Sequence, residues 1–138
     1  MLHVRIITPK KIVLEQDADR VTAPGMDGEF TVLEHHTRLF SMLTEGIVSI
    51  QSKKGEDFLA IGSGYLETDG NELTILVSSA YGQDEIDEKI TQDAIKSATQ
   101  LVEKAKDQGE RINASMLLRR SLLDQKLLKM RRRRTPTS

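Results

Sequence analysis

The spacing of the apolar residues changes once along this chain of 138 residues, at Gly82. Before Gly82, apolar and polar residues alternate in short runs, as at Leu2, Val4 and Ile6, and this period of two is typical of half-buried strands. After Gly82, apolar residues recur every three or four positions, which is typical of amphipathic helices. The change predicts an all-β domain followed by an α-helical segment.

The β segment is divided by turn signals. Asp27-Gly28 and Asp69-Gly70-Asn71 favour tight hairpin turns, because glycine accepts the positive φ that primed turns require. All five aromatic residues lie in this segment, which suits a core for a domain of roughly 80 residues. Many short strands at close spacing predict an antiparallel sandwich or barrel over residues 1–84. The expected strands lie near residues 2–7, 12–14, 20–23, 30–33, 39–43, 47–50, 58–61, 65–67 and 73–77.

The remaining residues, 85–138, predict an antiparallel two-helix hairpin. We expect one helix over residues 86–107, with Gly109 as its C-terminal stop. The second helix should begin near Ala114, with Asn113 as its N-cap. We expect its leucines to face the first helix or the sandwich: Leu117, Leu118, Leu122, Leu123, Leu127 and Leu128.

Charge is distributed unequally between the two segments. Residues 1–84 hold seven Lys/Arg and thirteen Asp/Glu, a net of −6, whereas residues 85–138 hold thirteen and eight, a net of +5. Such asymmetry indicates a basic appendage that meets an acidic partner. Nucleic acid is an alternative partner, but this half has no aromatic residue to stack on bases. Against the single internal acid Asp124, the second helix and its end carry Arg111, Arg119, Arg120, Lys126, Lys129, Arg131, Arg132, Arg133 and Arg134.

Several kinds of chemistry find little support in the sequence. The chain has no cysteine, which excludes disulfides and thiolate catalysis. His35-His36 has acidic neighbours, but adjacent residues of an extended backbone point to opposite sides and no third ligand has a suitable spacing, so we expect no metal or other cofactor. Gly62-Ser63-Gly64 lacks the Lys-Ser/Thr ending of a phosphate loop. Nothing assembles a nucleophile, a base and an oxyanion hole, so we expect a non-enzymatic chain.

The sequence also predicts a soluble chain. No apolar run approaches the ~18–20 residues that cross a bilayer. The alternating pattern begins at Leu2 and leaves no room for a signal segment. We therefore expect any membrane association to occur through other proteins.

Residues 24–50 combine a turn, a strand, a histidine-bearing loop, a second strand and a glycine turn. This order resembles the epsilon subunit of the F-type ATP synthase, which has a Gly-Glu strand, a Pro-Gly-His-Ala-Pro-like loop and a glycine before the next strand. Gly28, Glu29, His36, Leu39 and Gly46 occupy those places. The similarity covers nearly the whole chain, although the departures from the family pattern include Thr31, Glu34, His35, Thr37 and Arg38.

The resemblance implies a rotor subunit of the central stalk. The sandwich would couple the gamma subunit to the membrane ring, with Glu29, His36 and Arg38 in the ring-contact loop. The helices would contact the alpha, beta and gamma subunits and inhibit ATP hydrolysis. The protein would lie peripherally on the cytoplasmic side of the inner membrane, without inserting into it and without binding nucleic acid. The alternative is a free-standing adaptor whose basic hairpin binds nucleic acid or an acidic protein surface.

Some members of this family bind ATP through an Ile/Leu-Asp-x-x-Arg-Ala motif at the start of the first helix. Here Ile86 and Asp87 match its beginning, but Ile90 stands in the place of the arginine. This replacement removes the planar guanidinium group, whose N–H donors suit phosphate. We therefore expect weak or absent ATP binding.

Overall fold

A computed structural model describes residues 1–130. Contacts divide these residues into two compact units, Met1–Gly82 and Gln83–Met130. The first unit is a ten-stranded β sandwich that nearly closes into a barrel, and the second consists of two α-helices. The predicted fold class is therefore confirmed.

The sandwich contains every predicted strand and one more. Its strand order is β10-β7-β6-β3-β5-β8-β9-β1-β2, with β4 paired to β3. All pairs are antiparallel except β1 with β9, which run parallel, so the expectation of a purely antiparallel sheet is wrong at this pair. The two-residue β10 was not predicted, because two residues show no alternation. The strands are β1 Leu2–Ile7, β2 Ile12–Ala18, β3 Arg20–Gly25, β4 Gly28–Leu33, β5 Leu39–Leu43, β6 Gly46–Ser52, β7 Gly55–Ile61, β8 Gly64–Thr68, β9 Glu72–Val77 and β10 Ala80–Tyr81.

One face of the alternating strands forms the core of the sandwich. Leu2, Val4 and Ile6 of β1 are fully buried, and so are Leu73 and Ile75 of β9. Burying an aliphatic side chain of this size stabilises the fold by about 1.5–3 kcal/mol relative to leaving it in water. The period of two therefore sets which residues enter the core.

The hairpin between β3 and β4 differs from the predicted primed turn. Gly25 pairs with Gly28, so Met26 and Asp27 are the two loop residues. Neither has a positive φ, whereas Gly28 has a φ of 126°. Glycine is needed here at the residue after the loop rather than inside it.

The helices begin and end at other residues than predicted. A short 3-10 helix at Gln83–Glu85 precedes α1, which spans Glu88–Lys104, and α2 spans Gln108–Lys129. Gly109 is thus in the first turn of α2, not a helix stop, and Asn113 lies inside α2. The reason is a capping box. The Asp107 side chain accepts a hydrogen bond from the Glu110 N–H at 2.8 Å, and Glu110 Oε2 accepts one from the Lys106 N–H at 2.9 Å.

Small residues, not leucines, are the buried ones at the centre of the helix pair. Thr91 and Ala98 of α1, and Ala114 and Ser121 of α2, are buried at seven-residue spacing. Small side chains allow two helices to approach closely, which leaves longer side chains outside. Among the leucines expected to face inward, Leu127 is buried and Leu118, Leu123 and Leu128 are half-buried, but Leu117 and Leu122 are 47% and 45% exposed.

His3 lies on the outer face of β1 between acidic residues. Its Nδ1 is 3.0 Å from Asp17 Oδ1, and its Nε2 is 2.7 Å from Glu15 Oε2. Glu72 of β9 is its register partner on the other side. The hydrogen bonds to Asp17 and then to Glu15 raise the pKa of His3. Two carboxylates accept from both ring nitrogens only when the imidazole is protonated.

We predict that this arrangement makes the stability of the sandwich depend on pH. A raised pKa in the folded state contributes stability below the ordinary value of 6.5, and this contribution disappears as pH rises through the raised value. Thermal unfolding followed by circular dichroism between pH 5.5 and 8.5 should show a decline that His3→Gln lacks. Equal pH dependence of the two proteins would contradict the prediction.

Candidate interaction surface

The histidine-bearing loop, residues 34–38, is held against the turn between β8 and β9. The His35 N–H donates to the Gly70 carbonyl at 2.8 Å. His35 has a φ of 66°, in the left-handed region, so the premise of an extended backbone at the two histidines is wrong. Gly70, with a φ of 96°, packs so closely that a Cβ on it would lie 2.5 Å from the His36 carbonyl oxygen. The turn therefore sets the shape of the loop.

Asp69 organises that turn and lies near Arg38. Its carboxylate accepts hydrogen bonds from the N–H groups of Asn71 at 2.9 Å and Glu72 at 2.8 Å. These bonds, with a smaller contribution from the positive charge of Arg38, lower the pKa of Asp69. Arg38, Asp69, Glu72 and Phe40 line one surface depression. Arg38 therefore faces carboxylates of its own domain as well as solvent.

Glu29 lies beside an exposed apolar patch that the sequence analysis missed. It lines a second depression together with Met26, Phe40 and Met42. These three apolar side chains, the apolar patch from here on, are 69%, 60% and 49% exposed. Phe40 stacks on Tyr65 with ring centroids 5.1 Å apart and an interplanar angle of 29°. Exposed apolar side chains that lie together indicate an interaction surface.

A signal for this patch was present in the sequence. The run from Leu39 to Leu43 is apolar at four of its five positions, so apolar residues fall on both faces of the strand. Because one face of an antiparallel sheet commonly faces solvent, the second face leaves Phe40 and Met42 exposed.

The three expected contact residues do not form one cluster. Glu29 is exposed at the start of β4, whereas His36 and Arg38 follow the end of that six-residue strand, roughly 20 Å of chain away. His36 is half-buried, and its Nδ1 donates to the Thr37 carbonyl at 2.7 Å. It lines neither depression. Phe40 is the residue that both depressions share, so the residues form an extended surface rather than a compact site.

The described basic residues of α2 are all exposed: Arg111, Arg119, Arg120, Lys126 and Lys129. At about 100° per residue, all of them except Arg120 lie within an arc of roughly 80° around the helix axis. Arg120 lies outside this arc, about 100° from Arg119. Because α2 begins at Gln108, Glu110 is a second acid in this helix, in addition to Asp124. The predicted basic residues Arg131, Arg132, Arg133 and Arg134 lie outside the described residues.

Ile86 and Asp87 lie before α1, not inside it as predicted. Asp87 is the N-cap, and its side chain accepts from the Ile90 N–H at 2.9 Å. Its carboxylate is therefore engaged in helix capping.

Among residues 1–130, no group of three or more His, Cys, Asp or Glu side chains has an arrangement that would hold a metal ion. No described helix is both long and apolar enough to cross a membrane.

Comparisons with known proteins place these features in context. A family model described as the ATP synthase, Delta/Epsilon chain, beta-sandwich domain matches residues 1–83. The ATP synthase epsilon chain of Campylobacter fetus subsp. fetus is 38% identical over 120 residues, covering 86% of this chain and 92% of that protein. The ATP synthase epsilon chain of Sulfurovum sp. is 31% identical over 117 residues, covering 84% and 91%.

The fold also resembles solved structures. One chain of a Euglena gracilis mitochondrial ATP synthase structure, comprising OSCP, F1 and c-ring, has a TM-score of 0.75 at 22% identity, covering 85% of this chain and 74% of that one. A chain of the central stalk and c-ring structure of the Tetrahymena thermophila mitochondrial ATP synthase has a TM-score of 0.60 at 16% identity, covering 93% and 96%. These likenesses concern the fold.

We predict that Gly70→Ala lowers the free energy of unfolding by about 1–3 kcal/mol, because it combines a strained φ with a close contact to the His36 carbonyl. Urea unfolding measures the change. The matched control is Gly82→Ala, since an added Cβ there meets no atom within 4 Å. Equal stability of the two variants would contradict the proposed packing of the loop on the turn.

Proposed function

The chain belongs to the epsilon-chain family of ATP synthases, and we propose that it is a non-catalytic subunit of the central stalk of an F-type, proton-translocating enzyme. The observation that carries the proposal is the match along both segments: the family model covers the sandwich, and the Campylobacter relative aligns over 86% of the chain. This membership disfavours a free-standing adaptor that binds nucleic acid.

Within that enzyme, the sandwich couples the gamma subunit to the membrane ring. Glu29, His36 and Arg38 supply polar groups toward the ring, and the apolar patch beside Glu29 supplies area to bury. An exposed apolar patch flanked by charged side chains suits a protein interface. Attachment to the ring through such contacts makes the protein peripheral, on the cytoplasmic side of the inner membrane.

The helices inhibit ATP hydrolysis when they extend along the gamma subunit toward alpha and beta. The exposed basic side chains of α2 would then face acidic surfaces of those subunits. Exposed ion pairs contribute roughly 0.2–1 kcal/mol each, whereas moving a population from 1:99 to 99:1 takes about 5.5 kcal/mol. Several ion pairs, together with burial of exposed residues such as Leu117 and Leu122, are therefore needed to shift the helices to the extended form. Because salt screens charges beyond ~10 Å at 0.1 M, inhibition should weaken as salt rises.

ATP is not expected to regulate this subunit strongly. The arginine of the family motif is replaced by Ile90, and the Asp87 carboxylate caps α1. Neither side chain offers the paired N–H donors with which an arginine binds phosphate oxygens. We propose that the hairpin responds instead to the contacts that its helices make in the assembled enzyme.

We predict that the sandwich can be crosslinked to the membrane ring through residue 29. Because the chain has no cysteine, Glu29→Cys introduces a single reactive site. In the assembled enzyme it should form crosslinks to cysteines placed in the polar loops of the ring. Lys54→Cys, exposed on the turn between β6 and β7, controls for nonspecific crosslinking. Crosslinks from residue 29 to the alpha or beta subunits alone would contradict the proposed orientation of the sandwich toward the ring.

We predict that inhibition of ATP hydrolysis requires residues 111–138. Deleting residues 111–138 should raise ATP hydrolysis by the assembled enzyme several-fold and leave assembly intact, because the sandwich is retained. Reversing Arg119 and Arg120 together to Glu should produce much of this effect. A steady-state hydrolysis assay measures both variants.

The matched control reverses Lys10 and Lys11 to Glu, the same change of charge at exposed positions of the sandwich. If hydrolysis is unchanged in the deletion and in the α2 reversal while the subunit remains bound, the proposed inhibitory role is refuted and only the proposed coupling role remains.

A further inference from the structure

The side chain of Gln83, which lies just before α1, reaches the C-terminal end of α2. Its Nε2 donates to the Leu127 carbonyl at 2.6 Å and also to the Met130 carbonyl. Gln83 and Met130 are the first and last residues of this unit. One amide group therefore joins the start of the helical segment to its end.

The acceptors are groups that a helix leaves without a partner of its own. The last four carbonyls of an α-helix have no intrahelical donor, and this end carries partial negative charge. The Leu127 carbonyl also accepts from the Met130 N–H at 3.1 Å. A glutamine amide has two donor hydrogens, so it can supply one to each carbonyl. The half-buried Gln83 thus completes the capping of α2 beside the fully buried Leu127 side chain.

The position of this contact matters for opening of the helix pair. Residues 105–107 connect the helices at one end and hold them together there. The opposite end has no connection through the chain, so separation of the helices begins most easily at that end. Gln83 makes its hydrogen bonds at this open end, and Arg131 to Arg134 follow directly in the sequence.

We propose that Gln83 is a latch that holds the last turn of α2 in the closed hairpin and thereby sets how often the hairpin opens. The proposal rests on the proposed inhibitory role of the open hairpin and names the residue that regulates it. Gln83 is a positioning residue, because it acts through α2 and has no contact with reacting groups.

Three substitutions separate the donor role of Gln83 from its shape. Gln83→Glu keeps the shape but turns donors into acceptors, and it places negative charge at the negative end of α2. Gln83→Leu removes the donors without adding charge. Gln83→Lys retains donors and adds a cation, which is favoured at a helix C-terminus. Gln100→Glu, at an exposed position of α1, is the matched control.

Opening is measured in the full-length protein by electron paramagnetic resonance. Spin labels are attached at Lys89→Cys and Lys129→Cys, both exposed positions in a chain with no native cysteine. We expect Gln83→Glu and Gln83→Leu to raise the ratio of long to short distances about tenfold, from the loss of two hydrogen bonds. Gln83→Lys and Gln100→Glu should keep the wild-type distribution. An unchanged distribution in both Gln83→Glu and Gln83→Leu overturns the latch.

The assembled enzyme separates this proposal from the proposed function. If the open hairpin inhibits, Gln83→Glu should lower ATP hydrolysis several-fold relative to Gln100→Glu. Wider distances with unchanged hydrolysis support the latch and contradict inhibition by the open hairpin. Unchanged distances refute the latch whatever the rate of hydrolysis.

Discussion

The parallel pairing of β1 with β9 is the constraint on which the rest of the sandwich depends. It joins residues that are about seventy positions apart and buries Leu2, Val4 and Ile6 in the same core as Leu73 and Ile75. The register also fixes the neighbouring turn, because the His3 N–H donates to the Asn71 carbonyl at 2.8 Å. The turn between β8 and β9 then shapes the loop that carries His36 and Arg38. The proposed ring contacts thus depend on a pairing distant from them.

The helices of the second unit bury few large side chains against each other. Its centre is lined by small residues such as Ala98 and Ala114, which bury little apolar area per contact, while Leu117 and Leu122 stay exposed. Burial of apolar surface is the main favourable contribution to packing. A pair of helices that leaves leucines outside therefore keeps apolar area available for another partner. Gln83 adds a polar contact at the end of the pair where the proposed separation would begin.

The two units also differ in the kind of surface that they expose. The sandwich is acidic overall and has an apolar patch around Phe40, whereas α2 exposes basic side chains along most of its length. Charges at exposed positions contribute little individually and are weakened by salt. The apolar patch is less sensitive to salt. The proposed attachment of the sandwich and the proposed regulation by the helices would therefore rest on different physical interactions.

The order of the two units, nearly every strand and the presence of two helices could be predicted from the sequence, because hydrophobic periodicity is a local property of the chain. The boundary between the helices was predicted wrongly from Gly109 and Asn113, although Asp107 and Glu110, three residues apart, carry the sequence signature of the capping box that sets it. Glu29 is exposed and its contact with the ring stays a prediction, whereas the exposure of its neighbour Phe40 was not predicted.

The folded chain was needed to establish the parallel β1–β9 pair, the exposure of Leu117 and Leu122, and the hydrogen bond from Gln83 to Leu127. Each of these joins or separates residues that are far apart in the chain. Periodicity tells which face of an element is apolar, but not which partner covers that face. That choice follows from how closely whole elements can pack, and it therefore appears only when the chain is folded.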